Sequence, residues 1–95
     1  MDRFLRKQLD RLHELYEPNY QFGNFPSFDE IVESEILSNM DLWEFQRLLL
    51  CFVDEVLHRC PSPGSEMQGY EWGVRLHQKS CEYCLDHIEQ FGLDQ

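Results

Sequence analysis

The sequence predicts an all-α fold: a small, compact bundle of about four helices around a central hydrophobic helix at about 40–58. Three observations predict it. Apolar residues recur at three- and four-residue spacing along most of the chain. Breakers gather in two places, Pro18–Pro26 and the CPSPGS run at 60–65, leaving long unbroken segments between them. One of those segments, with LLLCFV at 48–53, is apolar on almost every side, as a helix enclosed by neighbours would be. Ninety-five residues make a single helical domain, 1–95, because shorter pieces would bury too little surface to hold together.

The first helix is DRFLRKQLDRLHELYE. Leu5, Leu9, Leu12 and Tyr16 form its inner stripe, with Phe4 and Leu15 widening it, and Pro18 closes it. PNYQFGNFP then reads as a loop whose Tyr20, Phe22 and Phe25 fold back over the core. Ser27-x-x-Glu30 is a capping box for a second helix, with Pro26 and Ile31 at the positions of a hydrophobic staple. Phe28, Ile31, Val32 and Ile36 make its inner face, and Ser38 or Asn39 ends it and caps the next.

The third helix, about 40–58, places Leu42, Phe45, Leu49, Val53, Val56 and Leu57 on one broad face. Leu48, Leu50 and Phe52 extend that face on both sides, so only Glu44, Arg47, Asp54 and Glu55 leave a clear polar strip. A fourth helix runs from about 66 to 91. Gly69 and Gly73 weaken its first part, and Phe91-Gly92-Leu93 suits a glycine stop. At helical spacing, Tyr70, Val74, His77, Cys81, Cys84, Ile88 and Phe91 fall on one stripe, which this reading turns toward the core.

Charge separates the function classes. The chain carries −10, and residues 21–46 hold Asp29, Glu30, Glu33, Glu35, Asp41 and Glu44 with no Lys or Arg. Binding to nucleic acid or anionic membrane depends on Lys and Arg, so neither is expected as a direct partner. A basic protein is a better match, which the carboxylates would steer into place. Trp43, beside Glu44, and Trp72, after Tyr70 and Glu71, are large aromatics among acids, the usual material of an interface anchor. The basic residues Arg3, Arg6, Lys7 and Arg11 are interleaved with acids along the first helix, and intramolecular pairing accounts for them.

Cys81-x-x-Cys84 is the one string that suggests site chemistry. On a helix the two thiols sit where Ile and Phe sit, as small buried hydrophobes. A zinc site would need four ligands, for which Cys60 (or His58), His77, Cys81 and Cys84 are the candidates. A redox role is disfavoured because Glu82 and Asp86 oppose a thiolate. No serine nucleophile motif, phosphate loop, HExxH or EF-hand is present, so no enzyme activity is expected.

Arg6, Lys7, Asp10 and Arg11 interrupt the first apolar segment, which therefore does not read as a signal peptide. With four cysteines, a reducing cytoplasm is expected. The leading expectation is a non-enzymatic acidic protein-binding module, with inhibition or regulation of a basic partner that handles nucleic acid as its concrete form. Asp29, Glu30, Glu33, Asp41, Trp43, Glu44 and Trp72 would be its contact residues, with no cofactor. A zinc-stabilised structural protein and a helical oligomerisation module are the alternatives.

Overall fold

The fold is described from a computed structural model over residues 3–34 and 40–86, with only the backbone at Leu42. It is an all-helical four-helix bundle, in the order α1 (Arg3–Tyr16), a 3-10 helix (Glu17–Phe22), α2 (Phe28–Glu33), α3 (Leu42–Arg59) and α4 (Pro63–Asp86). The central element is α3, which packs against α1, the 3-10 helix and α4. Its first turn is held by a complete capping box. The Asp41 carboxylate accepts from the Glu44 N–H at 2.9 Å, and the Glu44 carboxylate accepts from the Asp41 N–H at 3.3 Å. The cap is therefore Asp41, not Ser38 or Asn39, because only a side chain three residues before Glu44 completes both bonds.

Phe45, Leu48, Leu49, Phe52 and Val56 are buried along α3. The predicted enclosure is incomplete, since Val53 and Leu57 are half-buried and Leu50 is 59% exposed. Against this helix α1 buries Leu5, Leu9 and Leu12, as its spacing predicts, together with Gln8 and His13. Phe4 and Leu15 do not widen the inner face; both are exposed.

The expected loop after Pro18 is instead a 3-10 helix, with Pro18 near its start and Gly23 at φ 72° ending it. The Gly23 N–H donates to the Tyr20 carbonyl at 3.0 Å. Three residues per turn put Tyr20 and Phe22 on different sides. Tyr20 enters the core and Phe22 is left in solvent, against expectation. Phe25 does fold back, with its ring 5.7 Å from Tyr20.

Ser27 caps α2 as predicted, its hydroxyl oxygen accepting from the Glu30 N–H at 3.2 Å. The reverse bond differs, because the Ser27 hydroxyl itself donates to the Glu30 carboxylate at 3.4 Å. Phe28 and Ile31 are buried, and so is Pro26. The helix stops at Glu33; Glu35, Ile36, Ser38 and Asn39 lie outside the described residues.

The chain turns into α4 three residues earlier than expected. The Ser62 hydroxyl oxygen accepts from the Ser65 N–H at 3.2 Å while the Ser65 oxygen accepts from the Ser62 N–H at 3.3 Å. Pro63 begins the helix, where its missing N–H is no loss. The two glycines do not split α4, which runs unbroken past both. They are buried against α3: a Cβ on Gly73 would stand 2.8 Å from Val53 Cγ1, and one on Gly69 would stand 2.9 Å from Leu57 Cδ2.

This close seam rotates α4 relative to the predicted stripe. Ser65, Gly69, Trp72, Gly73, Leu76, Ser80 and Cys84 are buried, whereas Tyr70, Val74 and His77 are exposed and Cys81 is half-buried. Ser80 tolerates the interior because its hydroxyl donates to the His77 carbonyl at 2.8 Å. Of the predicted stripe only Cys84 is buried; Ile88, Phe91 and the glycine stop at Gly92 lie outside the described residues.

The two glycines are expected to differ under substitution. At Gly73 the obstacle is a stiff β-branched side chain, so Gly73→Ala is expected to destabilise by about 1–2 kcal/mol, and Val53→Ala in the same chain to recover part of that loss. At Gly69 the obstacle is the flexible end of Leu57, and the gain in helix propensity of about 1 kcal/mol leaves Gly69→Ala near neutral. Urea unfolding midpoints of the three variants test this ordering.

Candidate protein-binding surface

The first turn of α3 brings together three of the residues expected to bind a partner. Trp43 is 76% exposed, and in the sequence it lies between Asp41 and Glu44, the two carboxylates of the capping box. Each carboxylate accepts one backbone N–H and is reachable from solvent. These residues therefore have a structural role in starting α3 as well as any role at the surface.

The other carboxylates lie along a different edge. Asp29, Glu30 and Glu33 are exposed on α2, which packs on α4. Asp29 shares a groove with Arg75 and Lys79, and Glu30 lines a cleft of about 610 Å³ together with Glu71 and Arg75. The acidic run of the sequence is thus met by the cations of α4, and α2 presents mixed charge rather than a uniformly negative face. No ion pair within 4.0 Å forms there among the described residues.

Trp72 is not a surface anchor. It is 5% exposed, its indole N–H donates to the Pro26 carbonyl at 2.6 Å, and its ring stacks on Phe25 and meets Phe52 edge-on. It ties the loop before α2 to α4. The misreading follows from the same rotation that exposes Tyr70: position 72 lies on the seam with Leu76 and Gly73, not with Tyr70 and Val74.

The four candidate zinc ligands do not converge. Cys60 packs near Gly69, with its thiol donating to the Val56 carbonyl at 3.2 Å. Cys81 lies twelve residues farther along the same unbroken helix, roughly 18 Å at 1.5 Å per residue. His77 Nε2 and Cys81 Sγ approach to 3.7 Å, but Cys84 turns inward and takes a hydrogen bond from the Gln46 amide at 3.1 Å. His58 bonds its own helix through the Asp54 carbonyl. Among the described residues no group of three or more His, Cys, Asp or Glu is placed to hold a metal. Burial pushes the Cys60 and Cys84 thiols up, away from thiolate chemistry.

A polar cluster that the sequence reading missed lies between α1, the 3-10 helix and α3. Arg6 donates twice to the Glu55 carboxylate, both at 2.6 Å, and His13 Nε2 lies 2.9 Å from the same carboxylate. His13 Nδ1 lies 3.0 Å from the Tyr20 hydroxyl. Hydrogen bonding to Arg6 holds Glu55 down at about 2, so it is an acceptor at neutral pH. His13 Nε2 therefore donates to Glu55, and its bare Nδ1 accepts from the Tyr20 hydroxyl. Burial lowers the His13 pKa against the pull of Glu55, and burial raises that of Tyr20. The phenol, histidine and carboxylate resemble a proton relay, yet Tyr20 and His13 are sealed at 1% and 2% exposure. The cluster therefore acts as a bolt between elements. Its signal in the sequence was the position of His13, four residues after Leu9 and on the same inner face.

The rotation of α4 also leaves an apolar surface outside. Leu50 on α3 and Met67, Tyr70, Val74 and Leu85 on α4 are all more than half exposed. A groove of about 180 Å³ runs between the two helices, lined by Leu50, Val53, Leu57, Gly73 and His77 among others.

The buried cluster predicts a pH dependence of stability. Below pH 6.5 the unfolded chain protonates its histidine while His13 in the fold resists, so stability falls as pH drops from 7 toward 5. Glu55 adds to this: its contribution is present above 4.5 and is lost as pH falls toward 2. Thermal melts at pH 7, 6 and 5 are expected to show a shallower loss in His13→Gln than in the native chain. His58, whose pKa the Asp54 carbonyl raises, has the opposite slope in both proteins and cancels in the difference.

Comparison with protein-family models, with curated proteins and with solved structures finds no match to this chain.

Proposed function

We propose that the protein is a non-enzymatic acidic binding module that docks onto a basic protein partner, as an inhibitor or regulator of a protein that handles nucleic acid. One observation carries the reading: Trp43, 76% exposed, flanked by the carboxylates Asp41 and Glu44 on a rigid helix start. An indole held out in water is rarely left so without a use, and on docking it would supply a desolvated anchor worth about 2 kcal/mol or more. An Arg or Lys of the partner can sit over the ring while pairing with the carboxylates. Glu33, Asp29 and Glu30 would add long-range attraction from the neighbouring edge, weakened by Arg75 and Lys79.

The charge of −10 argues against direct binding of nucleic acid or an anionic membrane. No described helix is long and apolar enough to cross a membrane. The proposed location is the cytoplasm, supported by four cysteines that are all free thiols.

Because Asp41 and Glu44 also start α3, reversing their charges would damage the helix and confuse the result. Asp41→Asn with Glu44→Gln keeps a good cap and box while removing both charges. With a basic partner captured from native extract, this pair is expected to weaken binding mainly at low salt. Trp43→Ala is expected to weaken it about tenfold or more at any salt, by calorimetry. Unchanged affinity in both variants would exclude this surface.

A further inference from the structure

The outer side of α3 carries a pattern that matches itself. Trp43, Leu50 and Leu57 recur every seven residues, so they stand in line along one side of the helix. Trp43 and Leu50 are 76% and 59% exposed, and Leu57 is half-buried at the edge of the groove with α4. Arg47 lies three residues before Leu50 and Asp54 four residues after it, both exposed. Arg47 makes no ion pair or hydrogen bond among the described residues. Asp54 comes no nearer to a cation than His58 Nδ1 at 3.8 Å.

A two-fold axis through Leu50 maps this strip onto itself. With two α3 helices antiparallel, Arg47 of each copy meets Asp54 of the other, Leu50 meets Leu50, and Trp43 meets Leu57. Self-complementarity of this kind is what a symmetric dimer interface requires. Charge also selects the place. Two copies at −10 each repel one another over most of their surface. The middle of this strip holds one cation, Arg47, and one anion, Asp54, so around Leu50 it is neutral and locally attractive. Tyr70 and Val74, each one residue past a seam glycine, extend its apolar area on the α4 side.

We propose that a second copy of this chain covers the outer face of α3, as an antiparallel two-fold dimer centred on Leu50. The inference does not rest on the basic-partner reading. The two share Trp43, however, so a partner anchored on Trp43 would bind the monomer in competition with the second copy.

The test is the mass of the full chain in solution, by sedimentation over about 1–200 μM, a range that brackets micromolar association. The native chain is expected to rise from 11.5 kDa toward twice that value. Arg47→Asp and Asp54→Arg each place like charges opposite one another and are expected to weaken association about tenfold or more. The double variant R47D/D54R exchanges the two charges and is expected to restore the dimer, which a variant that merely misfolds would not do. Leu50→Asp is expected to be monomeric with an unchanged circular dichroism spectrum. A native chain that stays at 11.5 kDa throughout overturns the proposal, and so does a dimer that survives Leu50→Asp or is not restored by the double exchange. All of these changes leave Asp41, Trp43 and Glu44 in place, so failure here and failure of the basic-partner reading are distinguishable.

Discussion

The close approach of α4 to α3 is the contact on which the rest of the molecule depends. Two glycines one turn apart, Gly69 and Gly73, let Val53 and Leu57 lie against the α4 backbone. Once that seam is set, the rotation of α4 about its axis follows. Trp72 and Leu76 turn into the core, and Tyr70 and Val74 turn out. The indole of Trp72 then reaches the Pro26 carbonyl and packs on Phe25 and Phe52, which fixes the segment before α2. Phe28 of α2 in turn meets Phe45 and Tyr83. Helix packing, loop placement and the exposed apolar surface are thus consequences of one small-residue contact.

A second constraint acts at the opposite side of α3, where charge is partly buried. Glu55 is shared by Arg6 and His13, and Arg59 bridges to Glu17 at 2.9 Å. Breaking one member of such a group leaves the others unpaired, so the cluster specifies how α1 sits on α3 more than it adds to net stability. It also draws inward Glu55, a carboxylate that composition alone would assign to the surface. Each such pair takes up one charge of either sign, so the net charge stays at −10, but its outward distribution is uneven. Near α2 it is interleaved with Arg75 and Lys79, at the start of α3 it stands around Trp43, and along the middle of α3 it is balanced by Arg47.

That unevenness links the fold to its proposed uses. A helix start capped by Asp41 and Glu44 presents Trp43 from regular helical backbone, so the backbone under it need not order when a partner docks. Two turns along, the neutral strip around Leu50 is where another copy can approach without repulsion. Both surfaces belong to the one helix that the core holds most firmly. A change at Leu50 would be felt as binding before it was felt as unfolding, whereas Asp41 and Glu44 also hold the start of α3.

The all-helical class, the inner stripe of α1, the Ser27 cap and the central position of α3 were determined by the sequence itself, because periodicity and caps are local properties. The orientation of α4, the burial of Trp72 and the separation of Cys60 from Cys81 were decided only by the tertiary structure. The reason is physical. A hydrophobic wheel ranks Gly and Ser as polar and sends them outward, whereas a tight helix seam selects them for their size. Tyr70, Val74 and His77 thus looked like the core and form the outer surface, with Cys81 half-buried at its edge. His13 shows the same limit from the other direction: a residue polar by rank is buried because Tyr20, on the next element, and Glu55, far from it in sequence, satisfy both ring nitrogens.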